Sequence, residues 1–169
     1  MALYLDWHNR LAEEACILNE DFSSISRLRL TRAVFREALR LYPPVPMMVR
    51  ETPKPETFWE RVLKKGSTIV ISPWYLHRQN RLWDCPDDFD PDRWESENGK
   101  TCQREAFIPF SAGARVCPGA GFAMIEGVLL LANVLKSYRV STEGCDTPVP
   151  VAHLTVRAQH GIYLKFDKR

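Results

Sequence analysis

Little in this 169-residue chain points to a charged partner: 23 lysines and arginines meet 21 aspartates and glutamates, for a net charge of +2. That balance argues against a nucleic-acid binder with a basic surface and against a dedicated receptor for acidic partners. Paired cysteines are lacking too. Cys16, Cys85, Cys102, Cys117 and Cys145 include no C-x-x-C pair, and neighbours stand at least 15 residues apart, which argues against structural zinc. The odd count, with no signal peptide ahead of it, argues against a disulfide scaffold and leads us to expect a reducing compartment, a soluble cytoplasmic protein. Long hydrophobic runs are missing as well. The longest, around residues 128–132, is interrupted by Glu126 and Asn133, so no membrane segment is expected. Residues 1–7 read as the middle of a helix and not as a targeting signal. There are no repeats and no low-complexity stretches, which excludes solenoid and linker architectures.

What remains is ordinary globular material. Hydrophobic residues make up 45% and charged ones 26%, enough for one domain with a core. Twelve prolines, several clustered at Pro43, Pro44, Pro46, Pro53 and Pro55, suggest long but ordered irregular segments. Residues 4–19 alternate apolar and charged positions with helical spacing. Residues 30–42 form a second amphipathic helix, with Val34, Phe35, Ala38, Leu39 and Tyr42 on one face, and Pro43-Pro44 ends it. Residues 45–51 and 67–72 read as short strands. Residues 80–110 show neither period and read as a long coil, the kind of segment that is kept in a compact domain for function. A helix from Pro118 to about Lys136 is apolar almost all round and is expected to be buried. Residues 151–166 read as two strands around a hairpin at Gln159-His160-Gly161.

Residues 110–119, Phe-Ser-Ala-Gly-Ala-Arg-Val-Cys-Pro-Gly, carry the strongest chemistry. A cysteine that ligates a metal does so as a thiolate and has to be held still. Cys117 precedes the helix expected to start at Pro118, whose free N–H groups favour an anion. Gly113 and Gly119 permit unusual backbone angles and let the chain pass close to a flat ligand. Arg115 offers a planar fork suited to a carboxylate. Phe110 is placed to cover the sulfur and keep water out. Taken singly, Cys117 also reads as a buried cysteine before a helix. The full F-x-x-G-x-R-x-C-x-G spacing is far more specific.

At every defining position this segment resembles the heme-binding signature of the cytochrome P-450 family. Two further marks of that family lie upstream, in order. Glu37 and Arg40 are similar to its E-x-x-R pair, and one helical turn sets them on the same face. Alone, such a pair also reads as a solvated surface contact. Pro91-Asp92-Arg93-Trp94 is similar to the family's aromatic–proline–arginine mark, with Trp where many members carry Phe. The resemblance implies that Glu37, Arg40 and Arg93 form a buried structural network locking the long coil against the helix. It also implies that Arg50, on the first expected strand, binds a second heme propionate; the other reading is a surface arginine on a strand edge. His77-Arg78, followed by Trp83, is similar to a recurrent stretch of the family. His77 is expected to pack or hydrogen-bond and not to ligate iron.

The implied fold is mainly α with small β-sheets (α+β), and residues 1–169 form a single partial domain, the C-terminal heme-binding portion of the P-450 fold. The implied cofactor is heme b (iron protoporphyrin IX), with Cys117 as axial ligand and Arg115, Phe110, Gly113, Gly119 and Arg50 around it. The implied chemistry is activation of O₂ and insertion of one oxygen atom into a small organic substrate. Electrons would come from a ferredoxin or a flavoprotein reductase. The family's distal helix, with its acid–alcohol pair, is unmatched except for last turns in residues 2–5, so no catalytic residue is assigned. Two readings stay open. The chain is a monooxygenase component, truncated or completed by an N-terminal portion in trans, or it is a non-catalytic remnant that binds heme weakly or not at all.

Overall fold

The computed structural model describes residues 2–19, 21–142 and 148–169, so Cys145 lies outside the described residues. Three helices make the main layer: α1 (Leu5–Ala15), α2 (Arg29–Leu41) and α5 (Ala120–Ser137). The start of α2 has no cap of its own. Glu14 supplies one from α1, its carboxylate accepting from Leu30 N at 2.7 Å and from Thr31 N at 2.8 Å. Helix α1 ends at Ala15, four residues sooner than the apolar period suggested, and turns at residues 16–18 follow it.

Leu11, Ala15, Leu28 and Val34 bury against Val128, Ala132 and Leu135 of α5. The closest approach of α2 and α5 needs a glycine. A Cβ at Gly127 would run into the Phe35 ring. Only this stripe of α5 is covered, however. Phe122 is 70% exposed and Leu130 58%, against the expectation of a fully buried helix. Its apolar residues go all round, but α1 and α2 occupy one flank. The absence of a membrane-length segment also needs correcting, because α5 has 18 residues and a mean hydropathy of 1.4. It is long and apolar enough by those two criteria, since Glu126 and Asn133 interrupt a run of residues and not the helix.

Among the described residues, four two-stranded antiparallel sheets accompany the helices. Strands β1 (Met48–Glu51) and β4 (Thr68–Ile71) pair with Arg50 opposite Ile69. Between them lies a hairpin that the sequence did not announce, β2 (Glu56–Phe58) and β3 (Arg61–Leu63). Its residues are nearly all exposed, so no apolar alternation marks it. A single turn, α3 (Pro73–Leu76), follows β4 and is capped by Ser72.

The coil expected over residues 80–110 is broken by a 3-10 turn, Pro91–Glu95, and by a real helix, α4 (Glu97–Glu105). Ser96 caps α4 by accepting from Gly99 N at 2.9 Å, and Glu97 sits in its first turn. What holds α4 is tertiary: Cys102 and Ala106 pack into a cluster with Trp83, Trp94 and Phe107. The Trp83 and Trp94 rings meet edge-on at 5.7 Å, and Trp94 and Phe107 at 4.8 Å.

The expected hairpin at Gln159-His160-Gly161 does not form. Strand β6 (Pro150–Ala152) pairs with β7 (Val156–Ala158), so the reversal falls at residues 153–155. Strand β8 (Leu164–Lys168) instead returns to β5 (Tyr138–Thr142), with Val140 opposite Phe166. Gly161 serves as a left-handed link between two sheets, at φ +82°. His8 of α1 anchors this return, accepting from Val140 N at 2.9 Å through Nε2 and facing Arg169 Nη2 at 3.0 Å.

Candidate cofactor site around Cys117

Two constellations matter here. The first is polar and buried. Arg40 donates to Glu37 through Nε (3.1 Å) and Nη2 (2.8 Å), and Arg93 Nε donates to Glu37 Oε1 at 3.0 Å. Glu37 and Arg40 are fully buried and Arg93 is 6% exposed. Two guanidiniums against one carboxylate leave a surplus positive charge, and backbone carbonyls face it. Arg40 donates to the carbonyls of His77, Pro86 and Asp88, and Arg93 to those of Asp84, Cys85 and Asp88. Residues 84–88 are therefore held as irregular backbone by side-chain donors, where a helix or sheet would have used its own ladder.

The second constellation is the loop itself. Cys117 N donates to Phe110 O at 2.9 Å and closes a loop over residues 110–117. A 3-10 turn, Gly113–Arg115, lies inside it, with Gly113 at φ +69°. That backbone angle is the one a glycine takes freely. Gly119 differs from expectation: its φ of −84° is ordinary. What it offers is a bare flank, since a Cβ there would sit 3.8 Å from the Cys117 sulfur. Pro118 does not open the helix either. Helix α5 starts at Ala120 with Gly119 as its N-cap, and Ala120 N is taken by Cys117 O at 3.2 Å. Cys117 thus stands further from the helix dipole than the sequence suggested, though its sulfur lies back beside the N-cap residue.

A cavity of about 850 Å³ brings the remaining candidates together. Cys117, Phe110 and Arg115 of the loop line it together with Arg50 and Val49 of β1. Arg50 Nη2 donates to Ser111 Oγ at 2.8 Å, tying β1 to the loop. Ser111 itself holds a left-handed backbone at φ +67°, a strain the sequence did not flag. The rest of the lining is mostly apolar, Pro44, Val45, Met48 and Pro109, with Ser111 and one carboxylate, Glu51 at the end of β1. Among the described residues no group of three or more His, Cys, Asp and Glu side chains gathers to chelate a metal. A lone cysteine, two arginines against one glutamate, and mostly apolar walls suit an iron that brings four ring nitrogens with it, and whose macrocycle carries carboxylates.

Residues 1–166 match the family described as Cytochrome P450. This chain belongs to that family. Cytochrome P450 proteins are heme-thiolate monooxygenases. The P450 chain described here is 36% identical over 174 residues to Cytochrome P450 4A10 of Mus musculus, covering 99% of this chain and 34% of that protein. It is 38% identical over 138 residues to Cyclooctatin synthase of Streptomyces melanosporofaciens, covering 82% of this chain and 29% of that one. Among solved structures, retinoic acid-bound cyanobacterial CYP120A1 superposes with a TM-score of 0.91 at 22% identity, over 99% of this chain and 40% of its own. That superposition shows the fold, mainly α with small sheets. The chain spans about a third of the length of the curated relatives it matches.

His77 packs and hydrogen-bonds, as its place in the sequence suggests. It is fully buried, faces the Arg40 carbonyl through Nδ1 at 3.2 Å, and accepts from Ile108 N through Nε2 at 3.0 Å. Burial, more than any other cause, holds its pKa at about 4. Sequence reasoning missed the Ser111 anchor of Arg50 and the backbone carbonyls that complete the Glu37 network. No residue type marks a carbonyl that will be used this way.

Proposed function

We propose that this chain supplies the thiolate side of a heme monooxygenase, with Cys117 as the axial ligand of heme b. The observation that carries the reading is the single cavity that Cys117, Arg115 and Arg50 line together among mostly apolar residues. Bound heme supplies the iron chemistry that activates O₂ and transfers one oxygen atom to a small organic substrate. The chain's own residues do the rest. Arg115 and Arg50 bind propionate carboxylates and so fix the rotation of the ring. Cys117 is exposed in the chain described here, so Phe110, which lines the same cavity, would limit water around the sulfur only together with bound heme, and the bare Gly119 flank leaves the sulfur room. Glu37, Arg40 and Arg93 keep the meander at residues 84–95 in place behind the loop. Electrons arrive from a ferredoxin or a flavoprotein reductase.

The exposed flank of α5 supports a second element of the reading. Phe122, Ile125 and Leu130 are the surface of a helix that other polypeptide covers, whether in the same chain or in trans. Residues 1–169 then act as the C-terminal, heme-binding part of a larger domain. The test is a hemin titration of the wild-type chain and of Cys117→Ala, followed by the ferrous–carbon monoxide spectrum. A thiolate-type Soret band present in the wild type and lost in Cys117→Ala supports the reading. A wild type with no such band, even with the rest of a P450 domain supplied from a relative, identifies the chain as a remnant.

A further inference from the structure

We infer that His77 is a positioning residue for Cys117, a neutral strut between the Glu37–Arg40–Arg93 network and the backbone from which the cysteine loop hangs. The inference deepens the heme-thiolate reading and rests on it for its consequence, though its geometry stands alone.

The path is short and continuous. Arg40 Nη1 donates to the His77 carbonyl at 2.8 Å, and the His77 ring faces the Arg40 carbonyl at 3.2 Å, so the two residues clasp each other twice. The other ring nitrogen accepts from Ile108 N at 3.0 Å. Ile108 O then accepts from Ser111 N at 3.2 Å, and Phe110 O, two residues past Ile108, accepts from Cys117 N at 2.9 Å. The ring is wedged between Trp83 (6.4 Å, edge-on) and Phe107 (5.3 Å), so it has no room to pivot. Phe107 adjoins the very amide that His77 holds.

Chemistry fixes the protonation state. A carbonyl at Nδ1 requires N–H there, and an amide N–H at Nε2 requires a lone pair there. Only the Nδ1–H tautomer of the neutral ring satisfies both. Protonation would set an N–H against the Ile108 N–H and break the strut. Burial opposes protonation most, the Arg40 carbonyl at Nδ1 works the other way, and the positive charges of Arg40 on α2 and of Arg78 beside it add to burial. Glu37 is engaged by Arg40 and Arg93, and Asp87 is turned to Arg78 at 3.5 Å. His77 is therefore held neutral and directional.

The test uses the nitrogen-15-labelled chain co-expressed with the remaining two thirds of a related P450 domain, unlabelled, with the side-chain spectrum of His77 and amide exchange read in the same samples. Expected are the Nδ1–H tautomer of His77, still neutral at pH 5, and protection of the Ile108, Ser111 and Cys117 amides. In His77→Phe, which keeps ring volume, exchange at those three amides rises at least tenfold over the change at Leu11 and Leu135, core amides outside the path. His77→Gln, whose side-chain carbonyl can take the Ile108 N–H, restores most of the protection. An Nε2–H tautomer in the wild type, or uniform loosening of all amides in both variants, overturns the inference. Because the tautomer is read without any substitution, a variant that fails to fold does not spare it. Hemin titration separates the two ideas. Loss of the thiolate band in the wild type sinks the heme reading and leaves the strut to be judged by tautomer and exchange. A thiolate band in His77→Phe as strong and as acid-resistant as in wild type, with unchanged exchange, sinks the strut alone.

Discussion

Arg93 Nε lies 3.0 Å from Glu37 Oε1, a contact that crosses 56 residues of sequence between two side chains shut away from solvent. It is the clasp between α2 and the meander, and its partners have no water to fall back on. Glu37→Ala leaves two guanidiniums buried without their counter-charge, at a cost on the order of 3–5 kcal/mol. Glu37→Gln keeps the shape and loses the charge, so it should fall between alanine and wild type. Thermal unfolding and soluble yield measure both. A Glu37→Ala chain with wild-type melting behaviour would show the network to be dispensable.

Arg50 tests the cavity in a way that stability cannot. Its Nη2 bond to Ser111 is half-exposed, and truncation to alanine should shift the melting temperature little. Hemin affinity should fall about tenfold, roughly 1.4 kcal/mol, if the fork holds a propionate. Arg50→Lys should recover part of that as a point charge without the fork. Equal hemin affinity in wild type and Arg50→Ala would make Arg50 a strand-edge arginine and nothing more.

Helix α2 was readable because its apolar face repeats at helical spacing and two prolines stop it. The cysteine loop was readable because its chemistry is concentrated in ten consecutive residues. Helix α4 was not, because a stretch with Asn98, Gly99 and Lys100 has no apolar period, and Trp83, Trp94 and Phe107 stabilise it from outside. The error at Gln159-His160-Gly161 has the same origin. Glycine announced a change of direction correctly, but which strands pair is decided by β5 and β6, far from the turn. Helix α5 was placed to within two residues, while its exposed flank depends on what surrounds it.

Acid should weaken the fold in a defined window. His77 titrates near 6.5 when unfolded and at about 4 when folded. Between those values the unfolded chain holds more protons, so stability rises with pH there. The contribution is complete above about pH 6.5 and is lost as pH falls toward 4, on the order of 3 kcal/mol in all. His8, lowered first by burial and then by Arg169, pushes in the same direction. Urea unfolding between pH 4 and 7 measures the slope. His77→Gln should flatten it, and an unchanged slope would mean that His77 is not the group responsible.

The 169 residues expressed by themselves should be marginally soluble, with secondary structure intact and tertiary packing loose. The reason is surface. Phe122, Ile125 and Leu130 on α5, and Leu3, Tyr4, Ile162 and Phe166 near its far end, are exposed to between 39% and 70%. Each 100 Å² of apolar area left wet forgoes about 2.5 kcal/mol, while whole domains are stable by only about 5–15 kcal/mol. A few such patches remove most of that margin. They also bind one another between copies, so aggregation should rise with concentration. Near-ultraviolet circular dichroism and a dye that lights up on apolar surface report the state directly. Co-expression with the remaining two thirds of a related P450 domain should sharpen the melting transition, suppress dye binding and raise hemin affinity together. A lone chain that melts in one cooperative step, binds no dye and takes up hemin one-to-one would show instead that α1, α2 and the four small sheets are cover enough.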